Sequence, residues 1–205
     1  MAGRGAPAGA GTQRTTERSG LGAVRIVSGR WGGRRLKVPG GPDVRPTSER
    51  VREAWMSILG PELEGATVLD LFAGSGALGL EALSRGARVA TFVENSRKVA
   101  ELLRANIEAL DAGSAADLVI DDAFKFITSL QPRAFDIALA DPPYSRGLAA
   151  RLLQRFREVP FAQILSIEHG TDEPLDLSPP DQDRRYGDTA IAIVPAAHSD
   201  EENRR

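Results

Sequence analysis

Hydrophobic positions follow two alternating periods along most of the chain. Short runs of apolar residues, typical of buried strands, are each followed by a segment whose apolar residues recur every three or four positions, typical of an amphipathic helix. Strands that alternate with helices pair in parallel through right-handed crossovers, which predicts an α/β protein with a doubly wound sheet. The five strands predicted in this part lie at 68–72, 87–94, 116–120, 135–140 and 161–168.

The pattern changes at both ends of this region. Residues 184–194 indicate two strands that turn at Gly187 and Asp188, which adds an antiparallel hairpin to one edge and gives a seven-stranded sheet. Residues 23–39 alternate apolar with basic residues around a glycine-containing turn, which predicts a separate β-hairpin. The sheet is therefore expected to be parallel in its centre and antiparallel at one edge.

A helix is predicted between the basic hairpin and the first strand of the sheet. Thr47 or Ser48 can cap this helix, and its apolar residues share one face. We expect the opposite face, which carries Arg50, Arg52 and Glu53, to be solvated. Four parts follow along the chain: a flexible tail at 1–22, the basic hairpin with its helix at 23–60, the α/β domain at 61–195 and a polar tail at 196–205.

The first strand of the sheet leads into a glycine-rich turn. Residues 68–79 read VLDLFAGSGALG, in which an apolar strand containing Asp70 precedes the spacing GxGxxG. Such a turn lets a ligand approach the backbone at a helix N-terminus. Glu94, after the second strand, can accept hydrogen bonds from ribose hydroxyls, so the pattern predicts an adenosine-bearing ligand. The Asp70 carboxylate attracts an ammonium and repels a phosphate, which favours S-adenosyl-L-methionine over a dinucleotide.

The fourth strand ends in Asp141-Pro142-Pro143-Tyr144. Two prolines hold the backbone in an extended turn, so the Asp141 carboxylate and the Pro142 carbonyl can point at one site. Two convergent acceptors suit an amino group, and Tyr144 offers an aromatic face to a planar base. The turn therefore indicates a site for the exocyclic amine of a base.

Composition and charge narrow the classes of protein. There is no cysteine, and the only histidines, His169 and His198, do not form a metal-ligand spacing, so no metal site is predicted. No apolar stretch approaches a membrane span, and no signal peptide is recognised, so we expect a cytoplasmic protein without a membrane partner. Residues 1–52 contain eleven Lys or Arg and three acids, whereas the remainder contains fifteen and twenty-five. A basic end on an acidic protein indicates a polyanionic partner such as nucleic acid.

Together these motifs resemble a known family. FAGSGALGLEALSRGA followed by DPPY is similar to Rossmann-like methyltransferases that act on exocyclic amines of bases. From about residue 24 to about 194 the chain most resembles the bacterial RsmD-like enzymes, through SGRWGGRRL, RPTSERVREAWMSIL, ADPPY, SIEHG and RRYGDTAIAI. The resemblance implies a Rossmann-like sheet and S-adenosyl-L-methionine-dependent methylation of the 2-amino group of one guanine in small-subunit (16S) ribosomal RNA. It also implies a monomer, whose substrate is free RNA or an assembling small subunit.

The resemblance implies roles for individual positions. The glycine loop would face the methionine part, Glu94 the ribose and Asp122 the adenine; relatives often have glycine where this chain has Asp121, so which acid faces adenine stays open. The residues implied to bind the cofactor are Arg45, Thr47, Asp70, Ala73, Gly74, Ser75, Gly76, Glu94, Asn95, Asp122 and Ala123. Those expected to hold the target amine are Asp141, Pro142, Pro143 and Tyr144. Those predicted to contact RNA are Arg25, Arg30, Trp31, Arg34, Arg35, Lys37, Arg50 and Arg146.

Several alternatives stay open at the level of residues and of function. Asp122 can instead cap the following helix, Trp31 can pack against the domain, and Glu168 can lie on the surface or near the base. His169 is expected to be structural rather than catalytic. The alternative functions are an adenine or cytosine amino-methyltransferase acting on DNA, a dinucleotide-dependent oxidoreductase, and an RNA-binding assembly factor without catalytic activity.

Overall fold

The computed structural model describes residues 23–39, 48–144 and 146–197. The predicted tail at 1–22 and the candidate residues Arg45 and Thr47 lie outside these ranges. The elements are β1 (Ala23–Arg25), β2 (Arg35–Lys37), α1 (Glu49–Ile58), α2 (Gly60–Leu63), β3 (Thr67–Leu71), α3 (Ala77–Ser84), β4 (Val89–Val93), α4 (Arg97–Ala109), a 3-10 helix (Gly113–Ala115), β5 (Ala116–Val119), α5 (Ala123–Thr128), β6 (Phe135–Ala140), α6 (Leu148–Glu158), β7 (Ala162–Gly170), β8 (Gln182–Tyr186) and β9 (Thr189–Pro195).

The main sheet has seven strands in the order β5-β4-β3-β6-β7-β9-β8. Strands β3 to β7 are parallel, and β9 runs antiparallel to both β7 and β8. This confirms the predicted doubly wound, mostly parallel sheet with an antiparallel hairpin at one edge. The chain winds from β3 to β4 and β5 on one side and later to β6 and β7 on the other, so a crevice is expected between the carboxyl ends of β3 and β6.

Two apolar cores cover the two faces of the sheet. In β3, Val68 belongs to one core, whereas Leu69 and Leu71 belong to the other. The first core is completed by α1, α3 and α4, and the second by α5 and α6. Because both faces are covered, the central strands read as continuous apolar runs rather than alternating ones. Within the described ranges, no helix has the length and apolarity needed to cross a bilayer.

The basic hairpin is antiparallel, as predicted, and packs on α3 and α4. Its apolar side chains Ile26 and Leu36 are buried in the first core. The Arg30 backbone N–H donates to the Ser84 carbonyl at 2.8 Å. Asn106 of α4 is buried and donates to two carbonyls, those of Lys37 in β2 and of Ser75 in the glycine loop. Asn106 of α4 is thus hydrogen-bonded to both the basic hairpin and the glycine loop.

The prediction that Arg52 lies on a solvated face is wrong, although Arg50 and Glu53 are exposed. Arg52 is only 1% exposed, because the hairpin covers this side of α1. Its guanidinium donates to the carbonyl of Arg25 and lies 3.8 Å from the carboxylate of Glu81, which is also buried. The opposite charge of Glu81 offsets part of the cost of burying the guanidinium.

Candidate active site

A cleft of about 1130 Å³ lies at the carboxyl ends of the parallel strands. Its walls come from the ends of β3 to β7, from the β8–β9 turn, and from residues next to the basic hairpin and α1. The predicted site residues that line it are Gly74, Glu94, Asn95, Asp122, Ala123, Asp141, Pro142, Pro143, Tyr144 and Arg146. The cleft therefore brings together the two predicted halves of the site, the glycine loop and the Asp141–Tyr144 turn.

The glycine loop has backbone angles and packing that require its glycines. Gly74 and Gly76 have φ values of 54° and 80°, in the left-handed region. A Cβ atom at Gly76 would lie 2.3 Å from Leu103, whereas at Gly74 it would meet nothing closer than 3.9 Å. Gly76 is therefore needed for close packing, and Gly74 for the turn that borders the cleft. The candidates Ala73, Ser75 and Gly76 are in this loop but are not part of the cleft lining.

Asp70 lies below the cleft rather than in its lining, and is 1% exposed. One carboxylate oxygen accepts the Gly79 N–H at 2.9 Å, while the other is buried without a hydrogen-bond partner. Burial raises the pKa of Asp70 well above its usual range, the Gly79 bond opposes this, and the nearby Asp141 and Glu94 add to it. A positively charged hydrogen-bond donor beside the unpartnered oxygen would stabilise the ionised form of this buried acid. The ammonium of a methionine moiety is such a donor.

Glu94 connects the ends of β3 and β4. Its carboxylate accepts the N–H of Gly74 at 3.0 Å and that of Ser96 at 2.7 Å. These bonds hold a mostly buried side chain, 8% exposed, at the edge of the cleft. A fixed acceptor at this position can bind the hydroxyls of a ribose, so its predicted role is compatible with the geometry.

Asp121 and Asp122 both line the cleft beyond β5. Asp122 caps α5 by accepting the Lys125 N–H at 2.9 Å, so the capping alternative describes a bond that is present. Asp121 accepts a hydrogen bond from the Lys125 ammonium at 3.0 Å, and this bond lowers the pKa of Asp121. Which of the two faces adenine stays a prediction.

The side of the cleft that is predicted to bind an exocyclic amine is formed by Asp141, Pro142 and Tyr144. Asp141 is half-buried and Pro142 is buried. The Tyr144 hydroxyl donates to Glu168 at 2.5 Å and lies 3.1 Å from the Thr189 hydroxyl. Burial raises the pKa of Tyr144 well above its usual range, and the bond to Glu168 raises it further. This tyrosine is therefore neutral at physiological pH.

Sequence reasoning undervalued the end of β7 and missed the β8–β9 turn. Glu168 is 3% exposed and lines the cleft, so placing it on the surface is wrong. Thr189 and Asp188 also line the cleft, because β9 is antiparallel and therefore begins at the carboxyl edge of the parallel strands. The predicted hairpin orientation could have identified them. His169 is buried, and its ring bonds to backbone carbonyls and Asp183, as expected for a structural residue.

The candidate RNA-binding residues lie mostly on the hairpin, outside the cleft. Arg25 is exposed and pairs with Glu49 at 2.9 Å. Trp31 packs against the first core with the Arg30 guanidinium 3.9 Å from its ring centre, so the packing alternative describes its environment. Arg34 donates to the carbonyl of Ala109 at 2.5 Å. The remaining hairpin and α1 candidates, Arg35, Lys37 and Arg50, are exposed.

No group of three or more His, Asp or Glu side chains is placed to hold a metal ion within residues 23–39, 48–144 and 146–197.

Comparisons with known proteins relate this chain to a family and to solved structures. The model of the family described as Conserved hypothetical protein 95 matches residues 24–193. Ribosomal RNA small subunit methyltransferase D of Escherichia coli is 47% identical over 130 residues, which cover 63% of this chain and 65% of that protein, slightly under two thirds. The protein of the same name from Haemophilus influenzae is 36% identical, with 75% and 82% covered. The solved structure of Escherichia coli yhhF gives a TM-score of 0.73 at 34% identity and covers 86% of this chain and 100% of that chain.

Proposed function

Because the chain belongs to the Conserved hypothetical protein 95 family, together with the ribosomal RNA small subunit methyltransferases D, we propose that it methylates the 2-amino group of a guanine in small-subunit (16S) ribosomal RNA. The methyl donor is S-adenosyl-L-methionine. One observation carries the proposal: a single cleft is bordered by the glycine loop and Glu94 on one side and by Asp141 to Tyr144 on the other. Donor and acceptor sites would then face each other across that cleft.

The residues on the donor side fit the cofactor. Asp70 supplies a buried oxygen that lacks a partner, and Glu94 supplies a fixed acceptor at the cleft edge. Asp121 or Asp122 would accept from the adenine amine, and Ala123 lies beside them. When bound, S-adenosyl-L-methionine supplies a methyl group on a positively charged sulfur, which keeps the electron pair of the broken sulfur–carbon bond and leaves as a neutral thioether. The chain's own task is therefore to orient an acceptor nitrogen in line with that group.

On the acceptor side, Asp141 and Pro142 would bind the amine. Its two N–H groups would donate to the Asp141 carboxylate and the Pro142 carbonyl, which favours a pyramidal nitrogen. The same acceptors stabilise the positive charge that develops on nitrogen as its bond to carbon forms. The nitrogen then loses one of its two protons to solvent and becomes a neutral secondary amine. No separate catalytic base is required, which agrees with the structural placement of His169.

The base must leave its stack to reach this cleft. A guanine in a helix cannot present its amine to Asp141, so the target is flipped or lies in a loop. Tyr144 is 37% exposed, and its ring would give the extruded base a surface to lie against. The exposed cations of the hairpin and Arg146 would hold neighbouring phosphates.

Replacing Asp141 by Ala tests the acceptor site. We expect kcat to fall by about a thousandfold, because charge stabilisation at the nitrogen is lost. Binding of S-adenosyl-L-methionine, measured by calorimetry, should change little. Glu158→Gln, an exposed change at the far end of α6, is the matched control and should keep wild-type activity. Retention of activity in the Asp141 variant would contradict the proposed mechanism.

The proposal also includes the cell location and the state of the substrate. We propose that the protein acts in the cytoplasm as a monomer, either on free ribosomal RNA or on an assembling small subunit. The division into four parts at 1–22, 23–60, 61–195 and 196–205 is likewise proposed, with the hairpin part as the RNA-binding extension. Parallel assays on naked RNA, small subunits and duplex DNA would separate these substrates from the DNA alternative.

A further inference from the structure

Three side chains from different elements meet at the acceptor end of the cleft. Tyr144 lies in the turn after β6, Glu168 near the end of β7, and Thr189 at the start of β9. The Tyr144 hydroxyl donates to Glu168 at 2.5 Å and lies 3.1 Å from the Thr189 hydroxyl. The two partners are 3% and 9% exposed, whereas Tyr144 is 37% exposed. The tyrosine therefore presents its ring to the cleft while its hydroxyl is held from below.

This arrangement restricts the motion of an exposed ring. A tyrosine in a surface turn rotates about two side-chain bonds, so its ring plane is poorly defined unless its far end is held. A short bond from a hydroxyl to a carboxyl oxygen is among the stronger hydrogen bonds in proteins. Glu168 lies in β7, where it pairs with Ile191 of β9 and directly follows Ile167, the last residue of β7 that pairs with β6. Glu168, which anchors the Tyr144 hydroxyl, is thus held by the backbone pairing of the sheet.

The backbone at the end of β7 also lies close to the Tyr144 ring. Gly170, two residues after Glu168, has Tyr144 Cδ2 3.9 Å from where a Cβ would be. The ring is therefore bounded by the end of β7 as well as held at its hydroxyl. The two bonds of its hydroxyl hold this tyrosine in place, and it lines the cleft.

We propose that Glu168, together with Thr189, is a positioning residue that fixes the Tyr144 ring as the surface on which the target base lies. Glu168 acts through the Tyr144 hydroxyl and does not touch the base. This inference rests on the proposed function, because it names the part of the site that orients the acceptor. It assigns no proton transfer to Tyr144, whose hydroxyl stays protonated as the donor to Glu168.

The test is a double-mutant cycle with Tyr144→Phe and Glu168→Gln. Each single variant should lower kcat by roughly tenfold, because a misoriented base reacts slowly even when bound. The double variant should lose no more than Tyr144→Phe alone, because that change removes the hydroxyl whose bond Glu168→Gln weakens by replacing a charged acceptor with a neutral one. The affinity for S-adenosyl-L-methionine should be unchanged in all three, and Glu158→Gln controls for the loss of one carboxylate elsewhere. Multiplied losses in the double variant, or full activity of Tyr144→Phe, would overturn the inference.

A second measurement does not depend on activity. Tetranitromethane nitrates tyrosine through its phenolate, so Tyr144 should react slowly in the wild type and several-fold faster in Glu168→Gln, as measured by peptide mass spectrometry. Equal nitration rates would contradict the anchor. If Glu168→Gln fails to fold, as judged by circular dichroism, the kcat of Tyr144→Phe alone tests the inference. A loss of roughly tenfold supports the inference, and full activity overturns it. A wild type that methylates no RNA would instead overturn the proposed function, whatever the nitration result.

Discussion

At the scale of single residues, the site depends on acids whose surroundings differ. Glu94 has both carboxylate oxygens bonded to backbone N–H groups, whereas Asp70 has one oxygen bonded and the other buried without a partner. Burial raises the pKa of Asp70 well above its usual range. In its charged form Asp70 therefore destabilises the ligand-free protein, and a cation bound beside it, as we propose for the methionine ammonium, would offset this cost.

Asp70 makes the stability of the ligand-free protein depend on pH. In the unfolded chain Asp70 loses its proton near pH 3.9, whereas in the folded chain its raised pKa keeps the proton bound to higher pH. The unfolding free energy therefore falls as pH rises from about 3.9 toward the pKa of the folded state. We expect the unfolding free energy from urea titrations to fall by up to about 1.4 kcal/mol per pH unit from this group. Asp70→Asn does not titrate and should lack this part of the fall. Identical pH dependence in the two proteins would show that Asp70 is ionised when folded.

At the scale of elements, one buried acid makes several of the contacts that join the basic hairpin to the sheet domain. Glu81 of α3 accepts the backbone N–H groups of Val27 at 2.6 Å and Ser28 at 3.0 Å. The same carboxylate lies 2.9 Å from the Arg85 guanidinium and 3.8 Å from that of Arg52. These contacts fix the hairpin and α1 against α3.

Glu81→Gln should loosen this attachment. The change keeps the shape of the side chain but removes the buried negative charge that faces Arg52, so we expect a loss of about 3 kcal/mol in unfolding free energy. Hydrogen exchange at Val27 and Ser28 should accelerate more than exchange in β3 or β6. Glu101→Gln, an exposed change on α4, is the control and should change neither quantity. Wild-type exchange at the two hairpin amides in Glu81→Gln would contradict this account of the attachment.

The elements could be predicted from the sequence because each strand and helix carries its own apolar period. The strands of the sheet, the two hairpins and the glycine turn all depend on neighbours within a few residues. Arg52, Glu81, Asn106 and Glu168 could not be assigned in this way, since their partners lie far away in sequence, such as Ser75 for Asn106 and Tyr144 for Glu168. A period identifies the face a residue occupies but not the element that will cover that face.

At the scale of the whole molecule, charge is segregated between a basic extension and an acidic cleft. Arg35, Lys37 and Arg50 are exposed, and Pro39, two residues beyond β2, lines the cleft. The cleft itself carries mainly acids, and the carboxylate of Asp141 suits the N–H groups of a base rather than phosphates. We expect the RNA backbone to follow the hairpin and only the target base to enter the cleft.

Neutralising the hairpin should weaken RNA binding without changing the chemistry. The double variant Arg35→Gln, Lys37→Gln should reduce the slope of log affinity against log salt concentration by about 1 to 2, because each cation releases counterions from roughly one phosphate. Its kcat at saturating RNA should stay close to the wild type. Arg133→Gln, two residues before β6 and so at the edge of the sheet opposite the cleft, is the control and should keep the wild-type slope. An unchanged slope in the double variant would place the RNA elsewhere.

The central claim is that this cleft methylates the 2-amino group of a guanine in small-subunit ribosomal RNA. The most direct measurement incubates the protein with labelled S-adenosyl-L-methionine and unmethylated small subunits, digests the RNA to nucleosides and identifies the labelled product by mass spectrometry. The proposed function predicts label in N²-methylguanosine at a single position, and none when Asp141 is replaced by Ala. Label in a methylated adenine or cytosine, or no label in any RNA, would contradict it.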